Sequence, residues 1–126
     1  MDLCCGDGRV LTKIILPMVH KFRRHTGVDL SSSLTDEFLR ILDGESYLKY
    51  KDVVDVICQD ISEYDPKEKL FKLITACWCL GFFTKQQQIT LLTQIKAMLD
   101  DGGVFLLKES VKEERNGRKG NDGYTA

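Results

Sequence analysis

The chain has 126 residues, enough for one domain that buries roughly two-thirds of its unfolded surface. Its 43% hydrophobic and 29% charged composition is that of a folded protein rather than a disordered or fibrous one. A net charge of -1 and a pI near 6.1 give no general attraction for phosphate backbones or anionic lipid, so nucleic acid and membrane surfaces are poor partners to expect.

The first apolar stretch, Asp2-Leu3-Cys4-Cys5, reads as a short strand running into the turn-forming Gly6-Asp7-Gly8. Leu11, Ile14, Ile15, Met18, Val19 and Phe22 then recur at helical spacing, which predicts a helix that Pro17 kinks or interrupts midway. His20 and His25 fall on or just after this helix, in a basic run with Lys21, Arg23 and Arg24, and are expected at the surface.

Gly27 to Leu30 reads as a brief buried strand. Ser33 and Asp36 have capping-box spacing for a second helix through Phe38, Leu39 and Leu42, ending near Gly44. Glu45 to Asp52 suits either a helical turn or an irregular connection. Val53 to Cys58 and Phe71 to Cys77 are strands, separated by the turn signal Asp65-Pro66. Lys85 to Asp100 carries an apolar stripe of Ile89, Leu92, Ile95 and Leu99, closed by Asp100-Asp101-Gly102-Gly103 before a last strand, Val104 to Leu107.

Strand alternating with helix in this way predicts an α/β fold, a parallel sheet with helices on both faces, because parallel neighbours need long crossover connections. One domain over residues 1–108 is expected, with 109–126 a mobile tail or severed loop, since charge, glycine and asparagine dominate it without apolar periodicity. No charged-then-apolar leader follows Met1 and no apolar run approaches the ~20 residues that span a bilayer, which points to the cytoplasm or nucleus. The five cysteines, Cys4, Cys5, Cys58, Cys77 and Cys79, form no CxxC pair and have no histidine at zinc-ligand spacing. They are expected to be reduced, to pack as small hydrophobes and to bind no metal.

In doubly wound α/β folds ligands bind where strands end and the winding reverses. Four strand ends carry candidate chemistry. Asp2 to Arg9 offers glycines that let a backbone approach a ligand; Asp29 offers a carboxylate able to accept two ribose hydroxyls; Cys58-Gln59-Asp60 offers acceptors for an adenine amine; and Cys77-Trp78 follows the fourth strand. Singly, Asp29 and Asp60 fit a plain surface role as well as a site, and Trp78 fits core packing as well.

The order and spacing resemble class I (Rossmann-like) S-adenosylmethionine-dependent methyltransferases, with Asp2-x-x-x-Gly6-x-Gly8 similar to their glycine-rich first motif. Gly8-Arg9, Val28-Asp29, Gln59-Asp60, the Trp78/Gly81 loop and Gly102-Gly103 followed by Leu107-Lys108-Glu109 resemble the protein N-terminal (α-amine) methyltransferases within that superfamily. The resemblance implies S-adenosyl-L-methionine as cofactor. Gly6, Gly8 and Arg9 would hold its methionine end, Asp29 its ribose and Gln59 its adenine, with Asp2, Cys58 and Asp60 also among the cofactor-binding residues. Trp78 would face a substrate N-terminus, and Asp122 would be the late acidic, catalytic residue. The chain departs from the family at Cys4, where glycine is usual, at Cys77 in place of glutamine, at Phe82 in place of histidine and at Ser110 in place of asparagine.

Two other functions remain open on sequence: a degenerate, non-catalytic methyltransferase-like binding module, which those substitutions suit, and a nicotinamide-dependent dehydrogenase fragment. The second would ask for glycine where Leu11 stands.

Overall fold

The computed structural model describes residues 1–19 and 21–110. His20, Asp122 and all but the first two residues of the expected tail lie outside that range. Five strands, β1 (Asp2–Leu3), β2 (His25–Asp29), β3 (Val54–Cys58), β4 (Phe71–Cys77) and β5 (Leu99–Lys108), form one sheet in the order β3-β2-β1-β4-β5. Every neighbouring pair is parallel, so each connection crosses over. The winding reverses between β1 and β4, which places the loops after those two strands side by side.

A π-helix, Val10–Ile15, runs into α1 (Leu16–Met18); α2 (Ser32–Leu42) follows β2, and α3 (Lys85–Met98) precedes β5. Alternation along the strands feeds two cores. Leu3, Val28, Ile74 and Ala76 pack with Leu91, Ile95 and Met98 of α3, while Val54 packs with Leu11 and with Phe38 and Leu42 of α2. This is the sheet covered on both faces that the alternating pattern predicts.

Several boundaries differ from expectation. The first helix does not continue past Pro17 to Phe22 but stops at Met18, with Val19 already extended. Its wide π-turn buries only Leu11 and Thr12, so little packing sustains it. β2 begins at His25 rather than Gly27, and His25 is 5% exposed, not a surface residue. The basic run before it masked a strand start.

Helix α2 is capped by Ser31, whose side chain accepts from the Leu34 N–H, rather than by Ser33 with Asp36. The open question at residues 45–52 resolves into a 3-10 turn, Leu48–Val53. Helix α3 has a capping box between Thr84 and Gln87, and the phase it sets buries Leu91, Ile95 and Met98. Of the expected stripe Ile95 alone is buried on α3; Ile89 and Leu92 are 50% and 40% exposed, and Leu99, which packs against the same core, already belongs to β5. The Asp100–Gly103 turn is instead a bulge inside β5, where the pairing shifts register opposite Phe71/Leu73 and Gly102 has φ 71°.

The cysteines need the largest correction. Cys4 and Cys79, 75 residues apart in sequence, form a disulfide with Cα atoms 5.7 Å apart, while Cys5, Cys58 and Cys77 are free. The physical reason is topological: each cysteine sits just past one of two adjacent parallel strands, at the point where the winding reverses.

Candidate active site

The carboxyl ends of β1, β2 and β3 converge. Asp29 accepts the Gly6 N–H on one carboxylate oxygen (2.9 Å) and the Ser31 N–H on the other (2.8 Å), tying the glycine loop to the start of α2. The Gln59 N–H donates to the Asp29 carbonyl at 2.9 Å, which brings the end of β3 against the same residue. Gly6, Asp29 and Gln59 thus share one rim.

The two glycines of the loop have different work. A Cβ on Gly6, whose φ is 55°, would meet nothing closer than a Leu34 methyl at 3.9 Å, so that side of the backbone is open to a ligand. A Cβ on Gly8, whose φ is 86°, would fall inside the ring of Phe38. Gly8 is glycine so that loop and α2 can touch. Cys4, where the family carries glycine, holds a left-handed φ of 55°, a conformation that glycine adopts without penalty.

The other expected site residues are placed less centrally. Asp2 is 1% exposed inside the sheet; one oxygen accepts the Thr75 hydroxyl at 2.7 Å and the other has no partner among the described residues. Burial pushes its carboxyl up to about 6, against the opposing pull of Thr75. Arg9 extends into solvent and pairs with Asp7 at 3.1 Å, a contact of little energetic weight at such exposure. The Cys58 thiol is exposed and donates to the Leu30 carbonyl at 3.6 Å. Asp60 is turned onto Ser62, accepting both its N–H (2.9 Å) and its hydroxyl (2.8 Å), which holds the carboxyl below its usual range. The Gln59 amide donates to the Glu63 carbonyl at 3.4 Å.

Trp78, directly after β4, is 54% exposed and has φ 51°. Its ring lies beneath the Lys108 ammonium, 4.3 Å from the centroid. Glu109 accepts the Cys79 and Leu80 N–H groups at 2.6 and 2.7 Å. Neither Glu109 nor Ser31 is legible residue by residue, because each acts on backbone far from it in sequence or through a turn; the Leu107-Lys108-Glu109 run is the sequence signal for the first.

The residues fit an adenosyl group. An ionised carboxylate offers about four acceptor positions, and Asp29 uses two on protein N–H groups, leaving about two for a ribose diol. Gly6 leaves the approach clear beside it. Two cavities lie elsewhere: one of about 640 Å³ lined by Phe22, His25, Phe71 and Leu73 at the opposite end of the strands, and one of about 160 Å³ between Asp60 and α3.

Comparison with known proteins gives the family and agrees with the fold. The family described as AdoMet dependent proline di-methyltransferase matches residues 1–122. The N-terminal Xaa-Pro-Lys N-methyltransferase 1-B of Xenopus laevis is 28% identical over 116 residues, covering 90% of this chain and 48% of the relative. The human N-terminal Xaa-Pro-Lys N-methyltransferase 1 is 26% identical with the same coverage. The chain therefore spans about half the length of the curated relatives it matches. Among solved structures, an S-adenosylmethionine-dependent methyltransferase from Clostridium acetobutylicum superposes with a TM-score of 0.69 at 28% identity, covering 84% of this chain and 40% of the other. A two-core parallel sheet, a glycine loop tied to a strand-end carboxylate, and a match along nearly the whole length make this chain a member of the AdoMet dependent proline di-methyltransferase family.

Proposed function

We propose that this chain binds S-adenosyl-L-methionine along the Gly6–Asp29–Gln59 rim and contributes to methylation of the α-amine of a protein N-terminus. The observation that carries this reading is the shared hydrogen-bonding of those three residues at the carboxyl ends of β1, β2 and β3, on one side of the point where the winding reverses. The curated relatives are named for Xaa-Pro-Lys N-termini, which supports a peptide substrate.

When bound, the cofactor's sulfonium supplies an electrophilic methyl group. The chain's own part is alignment and desolvation. Asp29 anchors the ribose, Gly6 leaves room for the cofactor beside it, and Trp78 forms a wall against the incoming amine. A protein α-amine has a pKa near ~8, so a minority is neutral at physiological pH and needs no strong base to become nucleophilic. Asp122, assigned the proton-accepting role by the family resemblance, lies outside the described residues.

Peptides with free and with acetylated N-termini separate this function from others: only the free amine should gain methyl groups, read by mass spectrometry. Equal labelling of both would refute it. One observation favours a non-catalytic binding module instead. Phe82, where the family carries histidine, is 85% exposed and brings no titratable group to the rim. Cofactor binding without methylation of any free N-terminus would select that reading.

A further inference from the structure

The turn after β4 holds the chain's single tryptophan in a backbone conformation that bulky residues avoid. Trp78 has φ 51° while 54% exposed, so no core packing compels the setting. Strain of this kind persists only where surrounding groups over-determine it.

Those groups come largely from the end of β5. The Trp78 N–H donates to the Lys108 carbonyl at 2.7 Å, and the Lys108 ammonium sits 4.3 Å from the ring centroid. One oxygen of Glu109 accepts both the Cys79 N–H (2.6 Å) and the Leu80 N–H (2.7 Å). The 3-10 turn that these donors open, Leu80–Phe82, has no side-chain cap of its own at Cys79. A carboxylate from a neighbouring strand therefore replaces the local cap, and charge-assisted bonds to backbone N–H are the stronger kind.

We propose that Glu109 is a positioning residue: by capping Cys79 and Leu80 from just past β5 it fixes the turn that carries Trp78 after β4. The wall presented to a substrate is then set by the neighbouring strand, not by the turn alone. For the substrate this rests on the proposed function; for the orientation of Trp78 it does not.

Fluorescence of the single tryptophan reads the turn without a label. Glu109→Ala should shift the Trp78 emission and raise its acrylamide quenching constant, because the ring leaves the cover of Lys108. It should also raise the peptide KM about fivefold, the size of a lost cap, while S-adenosylhomocysteine affinity stays unchanged. Glu109→Gln keeps a side-chain oxygen able to accept, and should return both readouts toward wild type. If the alanine variant fails to fold, Glu109→Asp, one methylene short of both N–H groups, carries the same comparison. An alanine or aspartate variant with wild-type quenching and KM overturns the proposal, as does a glutamine variant as impaired as alanine. A wild-type chain that methylates no peptide refutes the proposed function, while the quenching comparison still decides the role of Glu109.

Discussion

The two ends of the sheet differ in the way they hold their backbone. At the carboxyl end, Cys4, Gly6, Gly8 and Trp78 all have left-handed φ, and each is secured by a neighbour: a disulfide, the Asp29 carboxylate, the Phe38 ring and the Lys108 carbonyl. At the amino end, the larger cavity, about 640 Å³, is lined by strand starts, and the Nε2 of buried His25 has no partner among the described residues. Cavity size alone would choose the second end. Left-handed backbone held by converging polar and packing partners chooses the first, and that is the end at which ligands bind in parallel α/β sheets.

The comparison can be broken most severely at Gly8. Gly8→Ala places a methyl inside the Phe38 ring at a positive φ, and should abolish the folded state, seen as loss of a cooperative urea transition. A folded variant would mean that the loop does not press on α2.

Next in size is the disulfide. Joining residues 75 apart is worth about 4 kcal/mol on chain-entropy grounds. Reduction by a dithiol should lower the urea midpoint accordingly and increase the titratable thiols of the unfolded chain from three to five. Five free thiols before reduction would remove this staple from the carboxyl end.

Acid acts with opposite sign on two buried groups of the sheet, His25 and Asp2. Burial, with a smaller push from the N-terminal ammonium, lowers the His25 imidazole to about 3, below its usual 6.5. Its contribution is therefore fully present above pH 6.5 and is lost toward pH 3, at up to about 1.4 kcal/mol per pH unit. Asp2, raised to about 6, acts oppositely: its contribution is present below about pH 3.8 and lost as pH rises through 6. Wild type should thus show a muted response between pH 6 and 4. His25→Asn should grow more stable over that window relative to wild type, and parallel curves would contradict the buried neutral imidazole.

The smallest effect on stability sharpens the contrast between the two glycines. Gly6→Ala makes only an ordinary contact with Leu34, so it should cost about 1–2 kcal/mol for its left-handed φ, far less than Gly8→Ala. Its larger consequence should be weakened S-adenosylhomocysteine binding by calorimetry. Unchanged affinity would take Gly6 out of the ligand's path.

Much of the fold was legible because period and punctuation agree with burial. β4 was read with both its bounds, and β3 to within one residue, since β-branched runs between turns leave few alternatives. The phase of α3 differs from expectation because Ile89 and Leu92 are apolar yet exposed, and only the Thr84 cap discloses the true stripe. His25 was misplaced because a basic run hides a strand whose burial depends on its neighbours in space.

At the candidate site, the convergence of Gly6, Asp29 and Gln59 follows from strand-end position, which sequence order carries. The Cys4–Cys79 bond and the Glu109 cap do not. Both depend on β1, β4 and β5 lying side by side, a fact of topology rather than of local spacing.

The most direct test is an amide NMR titration with S-adenosylhomocysteine, which reports both ends of the sheet in one experiment. The account predicts saturable shifts concentrated at Gly6, Asp29, Ser31 and Gln59, with His25, Phe71 and Leu73 unmoved. Shifts concentrated instead on those last three residues would place the ligand in the opposite cavity and contradict it.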